Sequence, residues 1–597
     1  MFVRFSTVAG SRGSTDCARD VRGFAVKFYT QEGVWDLVGN NMPVFFIQDA
    51  VKFPDLIHAV KPEPNNEMPQ AASAHDTFWD FVSLTPESAH TLMWLMSDRA
   101  LPRSLSMMEG FGVHTFRLVN AARKARFVKF HWKPVKGVKS LVWEEAQAIS
   151  GKDPDFHRRD LFEAIERGDY PQWELGLQIV EEADEFKFDF DILDPTKLIP
   201  EERVPVRLVG RMTLNRNPDN YFAETEQVAF HTGHIVPGID FTNDPLLQGR
   251  LFSYIDTQLR RVGPNFAELP INRPLAPVDN NQRDAMARTV INGGRVAYFP
   301  NRLGGGLPAQ ATASKQAFVS YAEKVDGAKI RARSPSFSDH FSQATQFWNS
   351  MSDWEKAHIA QAFAFELNQV QSEVVRHHVM NEIIVNIADA LARAVSAQTG
   401  LKIAPVGTPK NPTPSAPSPS GPLRPGAKTL VSPALSQDKP GETIRGRKVA
   451  VLGGDGFDSR RLKPLKDALT AQGVVVELIA PHAGTIADSA GKAHKVNRAA
   501  PNAPSVLFDA VVVAGGASAA TLAASGAAVH FVNEAYRHGK PIAAQAEGSQ
   551  LLEACAFGQS KAAEGVIVGE GAGAIEQFIA AMLRHRFPRR AIAGVPA

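Results

Sequence analysis

The chain has 597 residues, enough for roughly three to five domains, with 65 basic against 63 acidic side chains and 44% hydrophobic residues. That charge balance gives no general pull toward nucleic acid or an anionic membrane, and two cysteines, Cys17 and Cys555, offer neither a disulfide framework nor a thiolate metal cluster. The longest uncharged stretch, Ala510 to about Val532, is broken by Gly515-Gly516 and reads as strand, loop and helix, so no membrane segment and a reducing, cytoplasmic setting are expected.

The first residues, Met-Phe-Val-Arg-Phe, alternate like a strand, without the basic-then-apolar leader of a secretion signal. From there to about Leu214 the apolar period is two, in runs such as Phe127-Val-Lys-Phe-His-Trp132, Trp173 to Val180 and Val204 to Leu214. These predict antiparallel strands closing into a β-barrel, with a helical insertion at 79–110 carried by Phe81, Leu84, Leu92, Leu95 and Met96. Residues 215–334 are rich in Pro, Asn and Gly and hold one short helix around Tyr254. Residues 335–400 turn helical, with Ile359, Ala362, Phe363 and Leu367 on one face and a second series through Val375, Val379, Ile383 and Ile387. Residues 401–446, with PTPSAPSPSGP at their centre, are too poor in apolar groups to fold alone and read as a linker. In 447–597, Lys448 to Leu452, Val474 to Ile479 and Ala510 to Ala514 alternate with helix-like segments, the βαβ pattern of a flavodoxin-like α/β sheet.

The segment Arg250-Leu-Phe-Ser-Tyr254 sets an arginine one helical turn before a tyrosine. A phenol with a free pKa of roughly 10 ligates metal as phenolate only where a cation holds the charged form, and Arg250 at i−4 supplies one. Read without context, the segment is an amphipathic turn with Phe252 and Tyr254 in a core. Upstream come Phe2-Val-Arg-Phe-Ser-Thr-Val8, Arg19-Asp-Val-Arg-Gly-Phe-Ala-Val-Lys-Phe-Tyr29 and Asp36-Leu-Val-Gly-Asn-Asn-Met-Pro-Val-Phe-Phe-Ile-Gln-Asp49. Their order resembles that of monofunctional heme catalases, and the added C-terminal domain resembles the large-subunit type.

That resemblance implies an α+β protein: an eight-stranded antiparallel β-barrel heme domain (1–214), a wrapping segment with the proximal heme helix (215–334), a helical domain (335–400), the linker and the flavodoxin-like domain. It implies Tyr254 as the iron ligand, Arg250 beside it, His114 and Asp244 as the relay orienting Arg250, and Arg4 and Arg261 as anchors of the heme carboxylates. On the distal side it implies Asn40 as the peroxide hydrogen-bond donor, Phe45 and Phe53 as walls, and Val8 and Asp36 along the access channel. His231, 23 residues before Tyr254, matches a histidine joined covalently to the tyrosine in some large-subunit catalases, a subgroup that can oxidise heme b to heme d; His234 and Gln258 also fit it. His231-Thr-Gly-His234 otherwise reads as a metal pair, but no third ligand stands near it.

The family's distal histidine precedes the VRFS strand, whereas the first histidine here, His58, belongs to another segment. Ser6 matches the residue that hydrogen-bonds that imidazole, so the expectation is a chain lacking its N-terminal arm and impaired by roughly 10²–10⁴-fold in the acid–base step. The reaction implied is disproportionation of hydrogen peroxide by an interlocked homotetramer. The alternatives are a heme-binding homologue without turnover and a heme enzyme redirected to organic hydroperoxides. In the C-terminal domain, which resembles the class I glutamine amidotransferase group, Ala546 occupies the nucleophile position, and Cys555 reads as a core thiol. The Gly453-Gly-Asp-Gly loop matches neither a dinucleotide fingerprint nor a Walker loop.

Overall fold

The computed structural model describes the chain apart from residues 71–73, 277–282, 287, 305–317, 326–327, 329, 331, 405–430, 559–562 and 597. Its first sheet is built from β1 (Phe2–Thr7), β2 (Arg22–Thr30), β3 (Gly33–Asn40), β4 (Gly110–Phe111), β5 (Phe116–Val119), β6 (Ala125–Pro134), β7 (Gln172–Glu181), β8 (Arg207–Thr213) and β9 (Ile239–Asp240). These run β1-β2-β3-β4-β6-β5-β9, with β7 joining β6 to β8, and every pair is antiparallel. Nine strands stand in this sheet where eight are expected, and two of them, β4 and β9, are two-residue pairings too short to leave an alternation signal. Inside the sheet Phe24 stacks on Trp132 at 6.1 Å and meets Trp173 edge-on at 5.6 Å. Such rings bury on the order of 150–250 Å² each and dominate the packing. Residue 110 is glycine because a Cβ there would lie 2.5 Å from the Phe24 ring.

The long connection from β3 to β4 holds α1 (Phe53–Val60), α2 (Asp76–Ser83) and α3 (Ala89–Met96). All eight residues of α3 are buried, whereas Leu84, expected in the apolar series, caps α2 in solvent. After β6 come α4 (Trp143–Lys152) and α5 (Phe156–Glu166). The helix around Tyr254, α6 (Pro245–Arg261), has 17 residues rather than the short run expected. Asp244 caps it, accepting from the amides of Leu246 and Leu247, Pro245 opens it, and Arg260 and Arg261 sit in its last turn, each a stabilising end signal. Beyond it, α7 (Ser342–Ser350), α8 (Asp353–Gln369), α9 (Glu373–His378), α10 (Val385–Ile387) and α11 (Asp389–Thr399) bury both expected apolar series against α1–α3 in one core.

The second large sheet is six-stranded and parallel. It comprises β10 (Lys448–Leu452), β11 (Val475–Ala480), β14 (Arg498–Ala499), β15 (Ala510–Val513), β16 (Ile542–Ala544) and β17 (Val566–Val568) in the order β14-β11-β10-β15-β16-β17, while β12 (Thr485–Ala487) pairs β13 (Ala493–Lys495) alone. Around it stand α12 (Ser459–Ala471), α13 (Ser518–Ala523), α14 (Gly526–Arg537), α15 (Ser549–Ala554) and α16 (Gly571–Arg584). The central strands are buried on both faces, which is why their sequences are continuous apolar runs: Val449, Val451 and Val512 enter one core, Ala450, Leu452 and Val511 the other. That second core includes Leu141, Ala146, Ile149 and Phe156, so α4 and α5 pack directly on the C-terminal sheet. Cys555 is buried there, its thiol pushed up to about 12 by burial, and Ala546 takes a left-handed φ of 25° at a strand-to-helix turn. Among the described residues no helix is long and apolar enough to cross a membrane.

Candidate functional site

A cavity of about 310 Å³ opens between the face of β1–β3, α1 and α6. Alternation along β1 sends Arg4 and Ser6 to one face, and the register carries them across the sheet: Arg4 beside Ala25, Ser6 beside Gly23, then Val38 and Asn40 on β3. All six line the cavity. The middle strand contributes only small residues, which leaves a flat floor; a Cβ on Gly23 would meet the Ser6 hydroxyl at 2.5 Å. Asn40 accepts from the Met42 amide at 2.8 Å through its oxygen, which leaves its NH₂ as the donor. Val8, Phe45, Phe46 and Phe53 complete the apolar wall.

Opposite, α6 presents Tyr254. The Arg250 guanidinium, one turn earlier, donates to the Tyr254 hydroxyl at 2.8 Å and to the Val38 carbonyl at 2.8 Å, and lies 4.9 Å over the phenol ring. His114 also lines the cavity and pairs through Nδ1 with Asp244 at 2.5 Å, both side chains almost wholly buried. Burial drives the His114 imidazole toward its neutral form, more strongly than Asp244 favours the charged one. Asp244, already the cap of α6, thereby ties the imidazole to the helix that carries Arg250.

At the rim two guanidiniums face each other. Arg261 donates to the carbonyls of Glu226 and Val228 and to Gln258, and burial, then the neighbouring Arg4, lowers its pKa. Arg4 makes no ion pair among the described residues. Two cations converging on an apolar cavity without a carboxylate between them match a ligand that brings its own carboxylates. A phenol under an arginine, a flat floor and this pair together fit a planar, dianionic, metal-bearing ring such as heme.

Asp36 is not in this cavity. It lies on the same face of β3, two rungs from Asn40, but is wholly buried: Lys27 Nζ donates to both of its oxygens at 2.8 and 2.9 Å, and His234 Nδ1 and the His231 amide reach it at 2.8 and 3.0 Å. Asp36 is thus salt-bridged to Lys27 under the histidine loop, apart from the residues that line the Tyr254 cavity. The carboxylate beside Val8 is Asp20, which accepts from the amides of Val8 and Ala9 at 2.8 Å each and borders the smaller adjoining cavity with Val8. His231 stands behind the cavity, its Nδ1 accepting from the Gly233 amide at 2.6 Å, its Nε2 buried with no partner. Burial, then His234, pushes it down to about 4. No cluster of three metal-ligating side chains occurs among the described residues.

Residues 1–305 match the model of the Catalase family, residues 445–592 that of the C-terminal domain found in long catalases, and residues 334–399 that described as Catalase-related immune-responsive. The chain is 59% identical to Catalase HPII of Pseudomonas aeruginosa over 92% of its own length and 77% of the relative's. It is 56% identical to Catalase HPII of Pseudomonas putida (100% and 82%) and 57% identical to Catalase-2 of Bacillus subtilis (93% and 78%). The chain belongs to the catalase family. It is a large-subunit catalase, an oxidoreductase that acts on hydrogen peroxide.

In this catalase two features of the site leave no mark in the sequence. Val113, a β-branched residue lining the cavity, has a φ of 66°, and the His114 amide donates back to the Gly112 carbonyl at 2.8 Å, a tight three-residue turn that a side chain of this shape rarely adopts. Lys129, buried on β6, donates to the Val113 carbonyl at 2.8 Å; burial pushes its ammonium down to about 8. Strain next to a cavity-lining histidine, held by a buried ammonium, marks a position fixed for geometry. Lys129→Met removes the cost of the buried charge with the charge itself, so the unfolding midpoint moves little. The turn loses its tether, and oxygen evolution per bound cofactor is expected to fall about ten- to a hundredfold through misplacement of His114. Unchanged evolution would show that the turn holds itself.

Proposed function

We propose that the Tyr254 cavity holds heme and disproportionates hydrogen peroxide, with Tyr254 as the iron ligand. The observation that carries this is the Arg250 guanidinium on the Tyr254 hydroxyl at 2.8 Å, in one cavity with the unpaired Arg4–Arg261 rim. Arg250 stabilises the phenolate, Arg4 and Arg261 bind the ring's carboxylates, and His114–Asp244 fixes the α6 end of the site. Bound heme supplies the redox chemistry that takes one peroxide to water and the other to dioxygen. The protein's own part is to bind, orient and dry the substrate: the Asn40 NH₂ donates to a peroxide oxygen, Phe45 and Phe53 exclude water, and Val8 with Asp20 leads peroxide in. Ser6, next to Asn40 across Gly23, hydrogen-bonds the group that carries the proton from one peroxide oxygen to the other.

The finer organisation belongs to the same proposal. The nine-stranded first sheet closes as an antiparallel barrel, residues 215–334 wrap neighbouring subunits of a homotetramer, 335–400 form a helical domain, 401–446, of which 405–430 lie outside the described residues, a linker, and 447–597 a flavodoxin-like domain without a nucleophile at Ala546. The protein works in the cytoplasm. The cofactor would be heme b, or heme d as in the subgroup that His231 resembles. Asn40→Ala is the test: heme absorbance stays while oxygen evolution per heme falls about 10²–10³-fold, the usual loss of one transition-state donor. Equal rates per heme would overturn the distal assignment, and absence of turnover in both proteins would leave heme binding alone.

A further inference from the structure

A second cavity of about 310 Å³ lies where the first sheet, the helical segment and the C-terminal sheet meet, and it shares no residue with the Tyr254 cavity. Its wall is drawn from the β6–α4 connection (Lys139), α8 (Trp354), residues 437–440 and the end of α16 with Arg586 and Arg589. Lys139 is buried, and its one hydrogen bond runs to the Lys439 carbonyl at 3.0 Å; no carboxylate pairs with it among the described residues. Burial, then the nearby Arg447 cation, pushes its ammonium down to about 8, so it is still protonated at pH 7. Arg586, its side chain largely covered, places Nη2 on Glu145 and Nη1 on the His585 carbonyl at 3.0 Å but leaves Nε with no partner. Arg589 is exposed at the mouth and forms no ion pair among the described residues. Of the three lining acids, Asp98 pairs with His358 and Glu564 with Arg584, each at 2.6 Å, and Asp438 stands exposed to solvent.

The Lys139 ammonium, with a single carbonyl acceptor, and the Arg586 Nε–H, with none, leave donor capacity unmet in a partly enclosed cavity. The economical partner is an anion with several acceptor oxygens that ammonium and guanidinium can share. Trp354, met edge-on by His358 at 5.3 Å, adds an aromatic wall to the same space. We infer that this junction cavity is a binding site for a small phosphorylated anion, held by Lys139, Arg586 and Arg589 and distinct from the peroxide site. A ligand there would touch the β6–α4 connection, α8 and the end of α16 at once and so strengthen their association.

Titration calorimetry on the full-length holoenzyme at constant ionic strength tests this, with inorganic pyrophosphate and phenyl phosphate as probes. Saturable binding at one site per chain is expected. Lys139→Met should weaken it about tenfold or more, the worth of a charge-assisted hydrogen bond. Arg589→Glu should weaken it comparably, and because that side chain is exposed the result does not depend on the fold tolerating a core substitution. Oxygen evolution stays unchanged in both. Phenyl phosphate binding as tightly as the more highly charged pyrophosphate supports a share for Trp354, and weaker binding supports recognition by charge. No saturable heat with either probe, or binding indifferent to both substitutions, overturns the assignment.

Discussion

Tyr254→Phe is expected to yield a folded protein that has lost its catalase activity, with oxygen evolution down by well over a hundredfold and heme content reduced or its absorbance displaced. The reasoning starts from the phenol. Replacing partners behind a metal ligand costs roughly 10–100-fold in affinity or activity, so removing the ligand oxygen itself costs more. Folding has little reason to fail, because Arg250 keeps its bond to the Val38 carbonyl and the ring stays in place. Arg250→Leu keeps the phenol and removes the cation; it should retain heme more weakly, and the tyrosine-to-iron charge-transfer absorbance should weaken with it. The readout is heme stoichiometry with oxygen evolution on the same sample. A Tyr254→Phe protein with full heme and an unchanged rate would mean that the iron is held from elsewhere.

How much of this site the sequence discloses depends on the range of the contact. Arg250 and Tyr254 are legible because i and i+4 share a helical face, and Arg4 with Ser6 because strands alternate. The apolar faces of α8 and of residues 375–387 are legible for the same reason. Asp36 marks where that reading stops: period two gives its face but not its depth, and Lys27, its cross-strand neighbour, takes it out of the cavity while Asp20 stands beside Val8. The Lys129–Val113 tether joins β6 to the turn between β4 and β5 through a backbone carbonyl, which carries no residue-type signal at all. The two-residue strands and the length of α6 escape periodicity too, the first for want of residues, the second because Asp244 and Pro245 start the helix well before the tyrosine. Pairs such as Arg103 with Asp509, or Lys540 with Glu145, link parts of the chain some 400 residues apart and exist only in the folded molecule.

Those pairs set the second large effect. Arg103 grips Asp509 with two bonds, Nε to Oδ1 at 2.6 Å and Nη2 to Oδ2 at 2.8 Å, both side chains almost wholly buried, and the Lys448 amide donates to Oδ2 at 2.8 Å. Arg447 approaches the same carboxylate at 3.4 Å. Burial opposes ionisation of Asp509, but Arg103 and Arg447 outweigh it and hold the carboxyl well below its usual range. Asp509→Ala strands two buried guanidiniums and is expected to cost about 3–5 kcal/mol, read as a lower urea midpoint for the C-terminal sheet. The sign of the pH dependence follows from the depressed pKa. The carboxylate's contribution is complete above the unfolded value of about 3.9 and fades as pH falls through the lower folded value, so the gap between wild type and variant stays constant from neutral pH to about 5 and narrows below it. Desolvation makes the pair costly as well as cohesive, and that separates two accounts of its loss. If stranded charge is the cause, the triple variant Arg103→Met, Arg447→Met, Asp509→Leu should recover most of the stability, since apolar side chains in all three places carry no ionic desolvation. If that variant stays as unstable as Asp509→Ala, the bidentate geometry itself locks the C-terminal sheet to the β3–β4 connection that carries Arg103.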